Sequence, residues 1–424
     1  MSLAESSVFP RFNDGDVLIT LATSKAYQLH ANVLRRNSSV FNQLLTDERA
    51  TVISPKHKRD GRVLRFRVNL VLGDDETTGK FVVQDPAANK RYHDMALSTV
   101  ENGKIGKSVY KHYDNLFKAF YNVRPAIDDR DITSVLQDCV ELVHVAESLG
   151  SINVVAESID IALLRQGEVL YRSIAKSPTA WSDLAYRVKS PSIFQEAVVH
   201  LVGQWQSLSA DERSKLPLEV LEVCERKHEE LNLVKQAVEV RILGHYTNQV
   251  QRLPSENPGR ISYSNDIYMW MAMSLFRHWF SQCICEDRGR PAKDGGAALY
   301  RQIGAGGYAY LDRKVLESFH QYFPMSPKGS SCLENHLSSF KEELKPFVED
   351  LLLNRSQMDV RKEPLPYLTC CEVVKGDMPW QKGTASDGEG VDGDALAADR
   401  PQPSISDEND EEFPANLAGI DRLH

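Results

Sequence analysis

From Val17 to Leu21 the apolar residues Val17, Ile19 and Leu21 recur at every second position on one side, the period of a strand with a single buried face. Thr23 to Lys25 can turn the chain into a second strand ending at Leu29, so a hairpin opens the fold. The spacing then changes. A short helical stretch from His30 carries Val33 and Leu34, Asn37 and Ser38 break it, and Ser39 is placed to cap a second helix with Val40, Phe41, Leu44 and Leu45 toward a core. Val63 to Val71 returns to strand alternation. Gly73 to Ser108, rich in Asp, Gly, Lys and Asn, reads as an insertion whose one apolar segment, Phe81 to Val83, suits an extra strand.

The rest reads as helices. Tyr113, Leu116, Phe117 and Phe120 share one helical face, ending at Tyr121 and Asn122. Asp131 caps a helix carrying Val135, Leu136, Cys139, Leu142, Val143 and Ala146, which Gly150 stops, and Ser151 starts another with Val154, Val155, Ile159 and Leu163. Ser190 and Pro191 are a cap and first-turn proline for a core helix with Ile193, Ala197, Leu201 and Trp205 on one line and Phe194, Val198 and Val202 beside it. Ser209 and Glu212 have capping-box spacing, and Leu221, Cys224, His228 and Leu231 stripe a longer helix that ends near Gly244. Ile267 to Phe280 predicts a buried helix whose Met and Trp residues pack inward. Pro366 to Val374 predicts a short strand, with Gly376 to Trp380 anchoring its end.

Charge changes this picture at one end only. The formal net charge is -9, but Lys382 to His424 holds eleven Asp and Glu against three Lys and Arg, so the rest is nearly neutral. The tail, 381–424, is poor in apolar residues and is expected to be disordered. No basic face for nucleic acid is predicted, and Lys56, His57, Lys58, Arg59 and Arg62 read as a solvated loop. Seven cysteines, odd in number and without repeated spacing, read as reduced thiols inside the cell, in cytoplasm or nucleus. No signal core or bilayer-length apolar run is present, so no membrane is expected.

Asp16, Val17, Tyr27, His30, Leu34, Ser38 and Phe41 stand in an order that resembles the opening of the BTB/POZ interaction domain. In physical terms Asp16 and His30 are suited to tie the hairpin to the helix pair, because a polar group at a buried corner needs a partner. The resemblance implies an α+β fold: a BTB/POZ domain over 12–165, a small sheet flanked by helices with an insertion at about 73–108. A BACK-like helical extension over 166–250, a mainly helical region over 251–380 and the acidic tail follow. It also implies a protein-interaction adaptor, a substrate-binding adaptor of a cullin-RING ubiquitin ligase in which Leu45, Thr46 and Asp47 supply the hydrophobic-x-acidic element. The alternative is a self-associating scaffold or transcriptional regulator that binds no cullin. Fifteen residues without amphipathic pattern precede Asp16, so a segment-exchanged dimer is not expected, and a monomer or weak homodimer is.

Candidate chemistry is sparse. His278, Cys283 and Cys285 lack a second pair at metal-finger spacing, so no metal is assigned. Gly304 to Tyr310 lacks the glycine spacing and preceding strand of a phosphate cradle and reads as a turn. No nucleophile, hydrolase, kinase or dinucleotide motif is found, so the chain is expected to be no enzyme and to need no cofactor. The expected target is a protein substrate, unidentified by any repeat or target-binding module.

Overall fold

A computed structural model describes residues 9–22, 25–51, 63–71, 79–84, 107–247, 250, 267–285 and 294–381. Met1–Lys382 form one compact unit, and Gly383–His424 a second that lies outside the described residues, as do the expectation of a disordered tail, the basic cluster at 56–62 and most of the insertion. No helix among the described residues is long and apolar enough to cross a membrane.

Strands and helices coexist as an α+β fold, predominantly helical. Strand β1 (Val17–Ala22) pairs antiparallel with β2 (Lys25–Leu29), and β3 (Phe66–Val71) lies parallel to β1 on its other side. Residues Phe81 to Val83 belong to the fourth strand, β4 (Lys80–Val83), antiparallel to β3, giving the order β2-β1-β3-β4. Val17, Ile19 and Leu21 are buried, as the alternation requires. The third strand is shorter than Val63 to Val71, because Arg65 N–H turns aside to the Asp16 carbonyl.

Helices α1 (Ala31–Asn37) and α2 (Ser39–Leu44) follow the hairpin. Their break differs by one residue from expectation: Ser38, not Ser39, caps α2, its Oγ accepting from Phe41 N–H at 3.1 Å and donating to the Leu149 carbonyl at 2.6 Å. A serine spent on a distant carbonyl and a cap together is held in place, and Ser38 is buried accordingly. Helices α3 (Lys107–Phe120), α4 (Ile132–Ser148) and α5 (Ile152–Leu164) pack beside the sheet, with Phe41, Phe81, Tyr113 and Phe117 in ring contact.

Next come α6 (Glu168–Lys176), α7 (Pro178–Val188), α8 (Pro191–Gly203), the short α9 (Ala210–Ser214) with its capping box, and α10 (Leu218–Gly244). Helix α8 is buried on nearly every side, from Ile193 to Val202. What surrounds it is partly the chain's own end. Residues 354–381 run without regular strand or α-helix, so the strand expected at Pro366 to Val374 is absent. Side chains hold this segment in place of a ladder. Glu196 of α8 accepts from Ser356 Oγ and from Gln357 N–H, His200 bonds the Tyr367 hydroxyl at 2.9 Å, and Gln195 donates to the Val373 carbonyl. Gly203 lets it come close: a Cβ there would sit 2.3 Å from the Leu368 carbonyl oxygen. At the far end Asp377 meets Arg226 and Lys227, and Trp380 stands edge-on to Phe194.

Candidate protein-interaction face

Helices α11 (Ile267–Ile284), α12 (Ala297–Ala305), α13 (Arg313–Tyr322) and α14 (Pro327–Leu344) complete the molecule. Their core is built from α11 and α14: Met269, Met273, Phe276 and Phe280 pack on Leu333, Leu337, Phe340 and Leu344. Phe276 stands edge-on to Phe340 at 5.3 Å, and Trp279 stacks on Tyr310 at 4.4 Å. Trp270 departs from the inward packing expected of this helix and stands 42% exposed.

Helix α13 is different. Asp312 caps it by accepting from Val315 N–H, yet Leu316 is its one buried residue. Val315 and Tyr322 are 49% and 79% exposed and the adjoining Phe323 61%, while Phe319, between Val315 and Tyr322, is half-buried against the core. Phe319 and Phe323 rings lie 5.0 Å apart. In the preceding loop Tyr308 is 85% exposed. Single exposed apolar residues need no explanation, and several large ones on one helix and its flanking loop make this a candidate interaction surface.

The loop that carries Tyr308 lies against a buried lysine. Gly306, Gly307 and Leu311 have positive φ, and the Lys341 ammonium on α14 donates to the carbonyls of Gly307 (2.8 Å), Tyr310 (2.6 Å) and Leu311 (3.1 Å). It also lies 4.7 Å from the centre of the Tyr310 ring. Burial pushes the amine down to about 8, with Asp312 opposing. No ion pair with a carboxylate is seen at Lys341 among the described residues. Lysine in the run Leu337, Phe340, Lys341, Leu344 was the legible signal for this group: a charge inside an apolar stripe.

The residues singled out from the sequence lie at the hairpin corner, not here. Asp16 Oδ1 accepts from Ala31 N–H at 2.7 Å. The Tyr121 hydroxyl accepts from His30 N–H at 2.9 Å and pairs with His30 Nδ1 at 3.0 Å, while His30 Nε2 lies 3.2 Å from Asp14. Leu34, Phe41 and Leu45 are fully buried. Asp47 is exposed and pairs with Arg65 at 2.9 Å. Among His278, Cys283 and Cys285, His278 bonds Gln282 and Cys285 is exposed; no group of three or more potential metal ligands exists among the described residues. Gly304 to Tyr310 is the end of α12 and the turn after it.

Residues 245–350 match the family model of the FF domain, fungal type, which is a protein–protein interaction domain. The match covers a quarter of the chain and takes in α11 to α14. No curated protein and no solved structure matches the chain. This corrects the BTB/POZ resemblance: the family found is the FF domain, and nothing ties the chain to BTB/POZ. The physical reason lies in the corner itself. Asp16, His30 and Ser38 meet the needs of any buried hairpin-to-helix junction, so their order is not specific to one family. The BACK-like reading of 166–250 and the cullin element at Leu45 to Asp47 were implied by that resemblance and have no support apart from it.

Proposed function

We propose that the chain is a non-enzymatic protein-interaction adaptor whose partner-binding face is formed by α13 and the loop before it. The observation that carries this reading is the coincidence of the FF-domain match with the large side chains that Tyr308, Val315, Tyr322 and Phe323 hold in solvent. Division of the chain near residues 165, 250 and 380, location inside the cell and a monomeric or weakly dimeric state belong to the same proposal.

One cluster among the described residues has the members of a catalytic triad but not its arrangement. Ser356, His200 and Glu196 are neighbours, but the Glu196 carboxylate (3.0 Å) and Ser356 Oγ (3.4 Å) address the same nitrogen, His200 Nε2. A general base needs its orienting carboxylate on the other nitrogen, where Tyr367 stands here. Clefts of about 370 and 350 Å³ flank residues 371–374, and both are lined by Cys371 and Arg355. Burial pushes Cys370 up to about 11 and Cys371 up to about 12, so neither offers a thiolate at neutral pH.

The test is quantitative capture from native cell extract by the full chain and by its Tyr322→Ser, Phe323→Ser double variant at equal loading. Proteins enriched by the first and lost from the second are the expected partners. Identical captured sets would contradict this placement of the face.

A further inference from the structure

We infer that the Lys341 ammonium is a resident cation seated in a cage of three backbone carbonyls, and that this cage fixes the loop presenting Tyr308 and opening α13. The inference rests on the proposed binding face for its meaning, but its test reads loop order alone, so either can fail without the other.

Four observations converge on it. First, all three ammonium protons are used, on Gly307, Tyr310 and Leu311 carbonyls within 3.1 Å, which is the full donor capacity of a lysine. Second, these acceptors come from within five residues of one loop, so a single charge gathers oxygens that would otherwise repel one another. Third, the loop has the backbone that such convergence requires, with positive φ at Gly306, Gly307 and Leu311. A leucine in that region is strained, and strain of this kind persists only where surroundings enforce it. Fourth, Lys341 as a whole is 3% exposed, and the three carbonyls rather than bulk water take its ammonium protons.

The groups around it do not supply a counter-charge in contact. Asp312 acts on Lys341 through space, but its carboxylate is committed to the Val315 N–H as the α13 cap. Glu342, one residue on, pairs with Lys345 at 2.6 Å. The Tyr310 phenol is raised by burial above its ordinary range and stays neutral. The arrangement is that of a metal ion bound by main-chain oxygens, with the metal replaced by a tethered ammonium. Its consequence runs through geometry: Ala309 N–H bonds the Gly306 carbonyl across the loop, Tyr308 sits at the tip, and Asp312 begins α13 immediately after the caged carbonyls.

The experiment is amide hydrogen exchange on the full chain, read at Ala309 and Val315. Lys341→Ala removes the propylammonium portion of the side chain and should raise exchange at both amides by about tenfold or more, the equivalent of one charge-assisted bond. Added n-propylammonium should restore slow exchange, and n-propanol, equal in length but uncharged, should not. Lys341→Met keeps much of the packing without donors and should exchange like the alanine variant. In the wild-type chain the Lys341 ammonium protons should exchange with water far more slowly than those of surface lysines, a measurement that stands even where a variant fails to fold. Unchanged exchange in Lys341→Met, equal rescue by propanol, or wild-type ammonium protons exchanging at the surface rate would each overturn the inference.

Discussion

The hairpin corner and the helices of residues 245–350 bury polar groups in opposite ways. At the corner, side chain meets partner one to one: Asp16 takes the Ala31 N–H, Tyr121 spans two atoms of His30, and Ser38 links α2 to Leu149. Around α13 a buried charge meets main-chain carbonyls and the face of Tyr310 in place of a carboxylate, while the rings of Tyr308, Tyr322 and Phe323 stand in solvent. The first arrangement is complete in itself and serves to hold the sheet to its helices. The second accepts two costs, desolvating an ammonium and exposing apolar surface, and only the first is offset locally, by the three carbonyl bonds and the Tyr310 ring. Local rules are broken in this way where a surface is shaped for something other than folding.

Phe41→Ala should break the corner outright. A fully buried ring in contact with Phe81 and Phe117 leaves a cavity, and the loss should be about 3 to 5 kcal/mol, read as a lowered urea midpoint. A melting temperature equal to wild type would remove the corner from the core.

Glu196→Ala tests the segment that joins the later helices to α8. It leaves the Gln357 N–H without its acceptor and removes the carboxylate that Ser356 Oγ and His200 Nε2 share, at a cost of about 1 to 3 kcal/mol, and protease should then cut within 354–381 before anywhere else among the described residues. Cleavage patterns identical to wild type would show that the apolar contacts of Leu368 and Met378 hold the segment alone.

A pH series sharpens the contrast at Lys341. Its folded value is depressed to about 8 from 10.5, so the unfolded chain binds the proton more tightly and stability rises as pH climbs from about 8 toward 10.5. The gain is bounded by about 1.4 kcal/mol per pH unit for one proton. Lys341→Met should lack this rise, and comparing the two proteins cancels the titration of cysteines and tyrosines they share. Parallel stability curves for the two would show that the carbonyls and the Tyr310 ring offset the desolvation and hold the amine near its ordinary value.

The smallest effect is expected where the comparison predicts none. Tyr322→Ser and Phe323→Ser should each change stability by less than about 0.5 kcal/mol, since the rings are exposed. A loss as large as that of Phe41→Ala would mean these rings belong to the core.

The periodic parts of this fold were readable because burial imposes a period: Val17, Ile19 and Leu21, the α8 stripes up to Val202 and the Ser209–Glu212 box lie in the elements they predict, while Trp205, also placed on that stripe, falls in the turn after α8. The break between α1 and α2 was misplaced by one residue because two adjacent serines offer the same capping chemistry, and only the Leu149 carbonyl, more than a hundred positions away, selects Ser38. Residues 366–374 looked like a strand by their β-branched and aromatic content, but no neighbouring strand offers a ladder, and Arg301 donates to the Leu365 and Tyr367 carbonyls instead. The binding face was illegible for a simpler reason. Exposure of Tyr322 and Phe323 depends on what α13 packs against, and its spacing of apolar residues is that of any amphipathic helix.

The central claim is that partners meet this chain at α13 and the Tyr308 loop, and hydroxyl-radical footprinting of the full chain with and without a captured partner tests it most directly. The account predicts protection of Tyr308, Tyr322 and Phe323 on binding, with Val82 on the edge strand β4 unchanged. Protection of Val82 with those three aromatics still fully reactive would contradict it.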